Sequence, residues 1–537
     1  MSRVRTPTEN SVLRSAAVAR TMFLPTEQHF RGRCRDHMTL LQTAASNRPT
    51  RWPNRRVLIR DPHSHITLKF VNVEASIFGR TAGCRFSSSH KRRRWMSLPQ
   101  YILTMQAVSN KLAERIGDAP TVVSADYKPR ADGSTMKALA WFGARDVRLI
   151  EAPIPDITEP DDVILKVTGT TICGSDLHLY HGEIIQLQEG DILGHEFMGI
   201  VDRVGPNVHN VHIGQRVVAS FQIACGECSY CKQKLSSMLQ NAMYGHRDAG
   251  FFGYSHFTGG FPGGQAEYVR VPKGNVNLLP IPNSVPDEKA LYLSDILPTS
   301  YHAVVDVGVK EGDVVGIWGL GPIGQCAARF ALMKGASRVI GIDNVRERLL
   351  MAESSGIEVI NFSEHTDVVK RIQELVPGGL DVAIDCGTFH QPKTLLHKVE
   401  KTLMLETDVP EIVNEMIMAT RKMGSCGIIA AYAGYTNHFN IGALMEKGIR
   451  LIGHGQAPVH KYWHDLLATI EAGKFDPTFV VTHRVSLDEF PALYASFDKR
   501  VAGVEKVFVE TKFSAPPSVG TPKLSRVADW GLDIYTV

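Results

Sequence analysis

The chain has 537 residues, with 59 Lys and Arg against 55 Asp and Glu, a formal net charge of +4, and 44% of its residues are hydrophobic. This length and composition predict a globular protein of two to four domains and exclude a wholly disordered chain. No run of about 18 apolar residues is present, so a transmembrane helix is not predicted. The low count of nine cysteines favours a reducing compartment.

Basic charge is concentrated in the first part of the chain. Residues 1–95 hold 19 Lys and Arg against 5 Asp and Glu, a net charge of +14, so the remaining residues carry −10. The basic character therefore does not indicate nucleic-acid binding by the rest of the chain. We expect residues 1–135 to be a largely disordered extension. Two alternatives remain open: a mitochondrial transit peptide, because Val12–Arg20 is Arg-rich and poor in acids, or a misassigned start. The alternative start residues are Met96, Met105 and Met136.

From residue 136 to about residue 300, short apolar segments are separated by Gly and Pro, which predicts a β-rich, barrel-like domain. This part contains Cys173 and His195, a thiol and an imidazole. A catalytic zinc site needs three protein ligands and one open position, and these two residues can supply the first two ligands. The spacing alone does not identify the third ligand. An isolated Cys and His at this separation are also compatible with ordinary core residues.

Three closely spaced cysteines follow, at Cys225, Cys228 and Cys231. Steps of three residues let thiolates converge on one tetrahedral ion, and structural zinc sites usually have four such ligands. A disulfide or a chance cluster is the alternative. The scarcity of cysteine elsewhere favours a metal.

A glycine-rich motif predicts a dinucleotide site. An apolar strand at Val314–Trp318 precedes the motif, an Ala-rich helix follows it, and Asp343 ends the next strand. This context favours a pyrophosphate at the helix N-terminus and ribose hydroxyls on the carboxylate, hence NAD rather than NADP, although Arg346 and Arg348 keep NADP open. The predicted cofactor contacts are Gly319, Gly321, Pro322, Ile323, Gly324 and Asp343.

Strands and helices then alternate through residues 301–455, which predicts an α/β domain with a doubly wound parallel sheet. Its strands are expected at Val314–Trp318, Val339–Ile342, Leu380–Asp385 and Gly427–Tyr432. The stretch 388–414 is longer than an ordinary connection and is expected to be functional or disordered.

At this point the chain resembles the zinc-dependent medium-chain alcohol dehydrogenases, from Met136 to about Lys512. Within that superfamily it is most similar to the glutathione-independent formaldehyde dehydrogenase branch. Three segments carry that similarity: Phe261–Val269, Leu293–His302 and Gly455–Tyr462. The resemblance implies a GroES-like catalytic domain at 136–300, a Rossmann domain at 301–455, a return to the catalytic domain at 456–512 and a tail at 513–537.

The resemblance also implies roles for individual residues. Cys173, His195 and Asp295 become the catalytic zinc ligands, with Glu196 as an outer or transient ligand. The implied catalytic and substrate-contacting residues are Ser175 as the hydroxyl at the substrate oxygen, His178 as the proton exit and Phe221 in the substrate pocket.

One position departs from the family pattern. The structural zinc lobe of relatives has a fourth cysteine eight residues after the third, where this chain has Leu239. Either this lobe is metal-free, or zinc is held by three thiolates with Glu227, His246 or water as the fourth ligand. A short deletion or a gene-model error explains the departure equally well.

Three functions follow from these patterns. The first is an NAD- and zinc-dependent dehydrogenase that oxidises formaldehyde hydrate or another small aldehyde or alcohol. The second is a general alcohol or polyol dehydrogenase, and the third is an inactive nucleotide-binding relative. We further expect a homo-oligomer, no nucleic-acid or membrane partner, and a cytoplasmic location, or a mitochondrial one if the extension is a transit peptide.

Overall fold

The structure is a computed structural model, which describes residues 125–184, 186–236, 250–387, 408–432 and 436–531. Several predicted features lie outside these residues: residues 1–124 of the predicted extension, Leu239, His246 and most of the long connection at 388–414. Among the described residues, no helix is both long enough and apolar enough to span a membrane.

Seventeen strands lie within the described ranges. They are β1 Thr135–Gly143, β2 Asp146–Pro153, β3 Val163–Thr170, β4 Phe197–Val204, β5 Arg216–Ala219, β6 Gln222–Ile223, β7 Gly250–Phe251, β8 Tyr268–Val271, β9 Leu278–Pro280, β10 Val314–Trp318, β11 Arg338–Asp343, β12 Glu358–Asn361, β13 Leu380–Asp385, β14 Thr420–Ile428, β15 Arg450–Gly453, β16 Val481–Ser486 and β17 Lys506–Glu510.

The α-helices of the same ranges connect these strands. They are α1 Asp176–Tyr180, α2 Ser229–Lys232, α3 Gly274–Asn277, α4 Asp287–Ala290, α5 Ile296–Val307, α6 Pro322–Met333, α7 Arg346–Glu353, α8 Val368–Leu375, α9 Glu411–Ala419, α10 Ile441–Glu446, α11 Val459–Glu471 and α12 Phe490–Asp498.

The first half of the described chain forms a β-rich domain around a seven-stranded sheet, to which the end of the chain adds β16 and β17. Its strands run in the order β16-β17-β3-β4-β5-β9, and β8 pairs with β3. Strand β3 is almost entirely buried, with only Lys166 partly exposed. The loops at the ends of β3 and β4 carry Cys173 and His195, so this sheet positions the candidate zinc ligands.

The second half contains a six-stranded parallel sheet in the order β12-β11-β10-β13-β14-β15. The chain begins in the middle at β10, proceeds outward to β12, and then returns beside β10 with β13. This reversal creates a crevice beyond the carboxyl end of β10, where ligands of doubly wound sheets bind. The predicted fold class, a β-rich domain with a doubly wound parallel sheet, is confirmed.

One predicted strand is displaced. The sequence placed the strand after the long connection at Gly427–Tyr432, whereas β14 begins at Thr420 and ends at Ile428. Helix α9 begins at Glu411, inside the stretch expected to be a connection. The polar residues at the start of β14 obscure its beginning, since Arg421 to Met423 are partly or fully exposed and continuous burial starts only at Gly424.

The last part of the chain returns to the β-rich domain. Strand β17 pairs with β3 and with β16, and residues beyond Glu510 pack on the same domain. The Phe513 ring lies edge-on to Tyr268 with centroids 5.2 Å apart, and the Trp530 ring lies 4.1 Å from that of His483.

A buried ion pair fastens this final segment. Arg484 of β16 is 1% exposed and donates to Glu288 over 2.6 Å and to Glu510 over 2.7 Å. Ser518 donates its backbone N–H and its hydroxyl to the same Glu288 carboxylate. Burial opposes ionisation of Glu288, but the hydrogen bonds from Ser518 and Arg484 outweigh it and hold the pKa of this carboxyl below its ordinary value.

We expect Glu288→Gln to lower the free energy of unfolding by about 3 kcal/mol at neutral pH. Removing one partner of a buried ion pair costs about 3–5 kcal/mol, and the remaining Glu510 keeps the loss at the lower end of that range. Because folding lowers the pKa of Glu288, its contribution is present above the ordinary carboxyl pKa and disappears as pH falls through the folded-state pKa. The free energies of unfolding of the variant and the wild type, measured by urea unfolding, should therefore become equal only in strong acid.

The control is Glu471→Gln, which removes an exposed carboxylate that accepts one hydrogen bond from Ser284. A surface change of this kind should alter stability by no more than about 0.5 kcal/mol. Equal losses in the two variants would show that the buried pair has no special weight.

Candidate active site and metal centres

Three turns of the chain bring the predicted zinc ligands to one place. Cys173 lies in the turn between β3 and α1, His195 and Glu196 directly precede β4, and Asp295 directly precedes α5. The backbone N–H of Cys173 donates to the Asp176 carboxylate over 2.9 Å, which fixes the turn that presents the thiol. The site is therefore assembled where the sheet of the β-rich domain meets the first helix of the parallel-sheet domain.

The ligand atoms of Cys173, His195, Glu196 and Asp295 all lie within 4.8 Å of one another. Nε2 of His195 is 3.5 Å from the Asp295 carboxylate and 3.9 Å from that of Glu196. Thr299 donates its hydroxyl to the other oxygen of Asp295 over 2.6 Å. A thiol, an imidazole and a carboxylate at this spacing suit a tetrahedral zinc ion, and the chemistry of the donors fits the predicted metal.

A chain of buried polar groups orients His195. Its Nδ1 faces the Asp176 carboxylate at 3.1 Å, which turns Nε2 toward the cluster. The amide of Gln265 donates to Asp176 over 3.3 Å and accepts from the Tyr494 hydroxyl over 2.9 Å. A carboxylate behind a metal-binding histidine is the usual arrangement that fixes its tautomer and ring orientation.

The same negative charge acts on the titration of His195. Burial disfavours the imidazolium form, but Asp176, together with hydrogen bonds to Asp295 and Cys173, raises the pKa of His195 well above its ordinary value. The surrounding groups therefore create a strongly negative site. A zinc ion would satisfy the same charge.

Lys506 of β17 lies behind Glu196. Its ammonium donates to the Glu196 carboxylate over 2.6 Å and to the carbonyl of Ile172 over 3.1 Å, and both side chains of the pair are 1% exposed. The second carboxylate oxygen of Glu196 is buried without a hydrogen-bond partner among the described residues. The pair thus supplies a compensated carboxylate at the edge of the cluster, with one oxygen left to interact with an ion.

Ser175 and Phe221 lie against the cluster. The hydroxyl of Ser175 is 3.4 Å from Nε2 of His195, and the Phe221 ring centroid is 6.2 Å from that of His195. Two further aromatic residues extend this wall: Phe251 stacks on Phe221 at 5.2 Å, and Tyr254 lies 6.0 Å from His195.

His178 lies on α1 with its side chain 20% exposed, and its Nδ1 is 2.6 Å from the Glu183 carboxylate.

The glycine-rich loop has the geometry of a dinucleotide site. Gly319 follows β10 with a φ of +85°, and a Cβ on Gly324 would lie 1.9 Å from the carbonyl oxygen of Gly319. Both positions therefore require glycine. Helix α6 begins at Pro322, followed by Ile323, so its free backbone N–H groups face the crevice.

Asp343 ends β11 beside this loop and is 5% exposed. Its carboxylate accepts backbone N–H groups from Leu320, Asn344 and Val345 at 2.7 to 2.9 Å. A carboxylate offers about four acceptor positions, so capacity remains for a ribose hydroxyl.

Arg348 lies 3.8 Å from the Asp343 carboxylate, but its guanidinium donates to the buried Glu505 over 2.9 Å. Its positive charge is therefore compensated by protein carboxylates. Burial raises the pKa of Glu505 to about 7 even with Arg348 beside it.

The three predicted structural-site cysteines form a second cluster. The sulfur atoms of Cys225, Cys228 and Cys231 lie within 4.8 Å of one another, and those of Cys225 and Cys231 are 3.9 Å apart. All three are free thiols, so the disulfide alternative is not realised. Backbone N–H groups of Gly226 and Cys231 donate to sulfur atoms at 3.3 and 3.4 Å, which stabilises thiolates at a metal site.

Sequence reasoning missed Lys506 and Asp176. Lys506 begins a strand whose next three residues are apolar and buried, and a lysine at a buried position of such a strand was the available signal. Asp176 stands directly between Ser175 and Leu177 in the cysteine-containing turn, where its acidic side chain resembles an ordinary first-turn residue of a helix. Only the fold places both residues behind metal ligands.

Comparisons with known proteins agree with this geometry. Residues 159–283 match the family model of the alcohol dehydrogenase GroES-like domain, and residues 322–400 match that of zinc-binding dehydrogenases. The predicted GroES-like domain and the resemblance to zinc-dependent alcohol dehydrogenases are confirmed.

Relatives align over most of their length. A zinc-type alcohol dehydrogenase-like protein of Schizosaccharomyces pombe is 43% identical over 397 residues, which are 72% of this chain and 94% of the relative. A glutathione-independent formaldehyde dehydrogenase of Pseudomonas aeruginosa is 33% identical over 70% of this chain and 96% of its own. The solved structure of alcohol dehydrogenase TADH from Thermus sp. ATN1 is 31% identical, with a TM-score of 0.61 over 70% of this chain and all of that one. The chain belongs to the zinc-dependent alcohol dehydrogenase family.

Proposed function

We propose that this protein oxidises formaldehyde hydrate, or another small aldehyde or alcohol, with NAD at the cluster of Cys173, His195 and Asp295. The observation that carries the proposal is the convergence of these three ligands with Ser175 and an aromatic wall. When bound, zinc supplies a Lewis acid for the substrate oxygen, and NAD supplies the hydride acceptor.

The protein's own residues would hold the ion and move the proton. Cys173, His195 and Asp295 would bind zinc, and Glu196 would act as an outer ligand whose charge Lys506 compensates. The Ser175 hydroxyl would take the proton of the substrate oxygen. His178 would pass it to solvent, a role supported by its partial exposure and by Glu183 on its ring.

The walls of the site favour a small substrate. Phe221, Phe251 and Tyr254 present rings on one side of the ligands. The several hydroxyl groups of a polyol would each need a hydrogen-bond partner there, whereas formaldehyde hydrate or a short alcohol needs few. Relatives named as glutathione-independent formaldehyde dehydrogenases, and the Asp295 ligand, support the same substrate class.

A general alcohol dehydrogenase is the second candidate. Relatives named alcohol dehydrogenase in Cupriavidus necator are 30–31% identical to this chain, which makes ethanol the appropriate competing substrate. The inactive nucleotide-binding alternative lacks support, because each ligand proposed for the chemistry lies in the cluster.

We further propose that the cysteine cluster binds a second, structural zinc and that the protein acts as a homo-oligomer without nucleic-acid or membrane partners. The converging thiols of Cys225, Cys228 and Cys231 support the metal. We place the protein in the cytoplasm, or in mitochondria if the basic extension directs it there.

The substrate is tested by measuring NADH formation in the full-length zinc-loaded protein. Three substrates are compared in separate assays: formaldehyde in the absence of any thiol, ethanol, and sorbitol. We expect the highest kcat/KM with formaldehyde. Faster turnover of ethanol would establish the general alcohol dehydrogenase, and faster turnover of sorbitol would contradict the argument from the aromatic wall.

We expect Cys173→Ser to reduce kcat on the order of 1,000-fold, because the loss of zinc removes several kcal/mol of transition-state stabilisation. Metal analysis should show one zinc fewer per chain. Cys228→Ser is the matched control: it should lose zinc from the other cluster and lower Tm while retaining turnover. Equal loss of turnover in both variants would mean that folding, not the catalytic centre, is being measured.

Asp343→Asn should raise KM for NAD by about 10- to 100-fold, since hydrogen bonds to a charged group contribute about 1.5–3 kcal/mol. KM for NADP should rise less or fall, because the carboxylate no longer repels a 2′-phosphate. The control is Arg346→Gln, an exposed neighbour on α7, which should leave KM for NAD unchanged. An unaltered KM for NAD in Asp343→Asn would remove Asp343 from the cofactor site.

A further inference from the structure

A third group of metal-binding side chains lies apart from the two clusters already described. It consists of His302 and Asp306 on helix α5 and His454 directly after β15. The four-residue spacing of His302 and Asp306 places them on one face of the helix, which packs against β14 beside the end of β15. The function proposed above uses none of these three side chains.

The distances between the potential ligand atoms are suitable for a bound metal ion. The Asp306 carboxylate is 2.9 Å from Nδ1 of His454 and 4.0 Å from Nε2 of His302. The backbone carbonyl of His454 is 3.2 Å from the same Nε2. Zinc bonds of about 2.0–2.1 Å place tetrahedral ligand atoms about 3.3 Å apart. The catalytic cluster shows comparable separations of 3.5 and 3.9 Å.

An outer partner orients His302 as it would a metal ligand. Its Nδ1 is 2.9 Å from the hydroxyl of Tyr462, which is 6% exposed. Without an ion, Nε2–H of His302 donates to the His454 carbonyl, and Nδ1 accepts from the Tyr462 hydroxyl. An ion on Nε2 would displace that proton, and Nδ1–H would then donate to the Tyr462 oxygen. Metal-binding histidines almost always have such a partner on the other ring nitrogen.

Gly427 of β14 makes room for His454. A Cβ at position 427 would lie 2.3 Å from Nε2 of His454, and this nitrogen has no hydrogen-bond partner among the described residues. The ring is oriented by the hydrogen bond between its other nitrogen, Nδ1, and the Asp306 carboxylate, which are 2.9 Å apart.

Solvent reaches the group from one side. His302 and His454 are buried, whereas the Asp306 side chain is 39% exposed. An ion can enter beside the carboxylate, and water can complete its coordination. We propose that His302, Asp306 and His454 form a third metal site, free of thiolate, that binds a divalent transition metal such as Zn²⁺ or Co²⁺. An ion there would tie α5, the helix that follows Asp295, to the edge strand β15.

The test is cobalt binding to the full-length protein after removal of its metals. Cobalt on thiolate ligands absorbs strongly in the near ultraviolet, whereas cobalt on nitrogen and oxygen ligands does not. We expect the wild type to bind one more Co²⁺ per chain than Asp306→Asn or His302→Gln, with no difference in the thiolate absorption. Equal cobalt content in all three proteins would overturn the proposal.

Asp498→Asn is the matched control. Asp498 pairs with His181 at 2.9 Å, but these residues belong to none of the three groups of potential ligands. This variant should bind as much Co²⁺ as the wild type. If it loses one ion as well, the lost cobalt was bound adventitiously to surface His–Asp pairs.

Thermal unfolding separates a metal site from a simple hydrogen-bond network. Each variant is compared with itself, metal-free and with added Zn²⁺, in a Cys173→Ser, Cys228→Ser background that removes the other centres. We expect Zn²⁺ to raise Tm in that background and not after the further change Asp306→Asn. An equal Zn²⁺-induced shift with and without Asp306 would overturn the proposal, even if Asp306→Asn lowers both Tm values.

Discussion

The structure depends on the concentration of buried negative charge around His195. Asp176, Glu196, Asp295 and the Cys173 thiol surround one imidazole, and such groups are stable in a protein interior only when cations compensate them. Within the described ranges Lys506 supplies a buried cation, and the remaining charge is suited to a metal ion. Lys506 reaches Glu196 because its strand, β17, returns to the β-rich domain and pairs with β3.

Because the charged groups come from distant parts of the chain, the two domains cannot be understood separately. The β-rich domain contributes Cys173 and His195 from the ends of β3 and β4, while Asp295 precedes the helix that leads into the parallel sheet. The crevice beyond β10 lies in the second domain, so the proposed substrate and cofactor sites depend on both domains. Arg348 and Glu505 join the domains again through a buried ion pair beside Asp343.

Residues with a local pattern were predictable, and residues whose role depends on distant contacts were not. The glycine loop, Asp343 and the three cysteines were identified because turn geometry, strand ends and short ligand spacing leave a mark in neighbouring residues. Asp295 was inferred only from resemblance, since about a hundred residues separate it from His195. The pairing of Lys506 with Glu196 and the group of His302, Asp306 and His454 could not be read locally, because the partners lie on different elements.

The sequence by itself determined the family, the order of a β-rich and a parallel-sheet domain, and the dinucleotide loop. The family was inferred from the resemblance of its motifs, whereas the domain order and the loop follow from hydrophobic periodicity and from glycine positions, which act over a few residues. The tertiary structure alone decided which carboxylates face His195, which cation compensates Glu196, and that the segment after Glu510 packs on Glu288 and Arg484. Such pairings depend on which buried charges are brought within a few ångströms when the sheets close, and no local pattern specifies that distance.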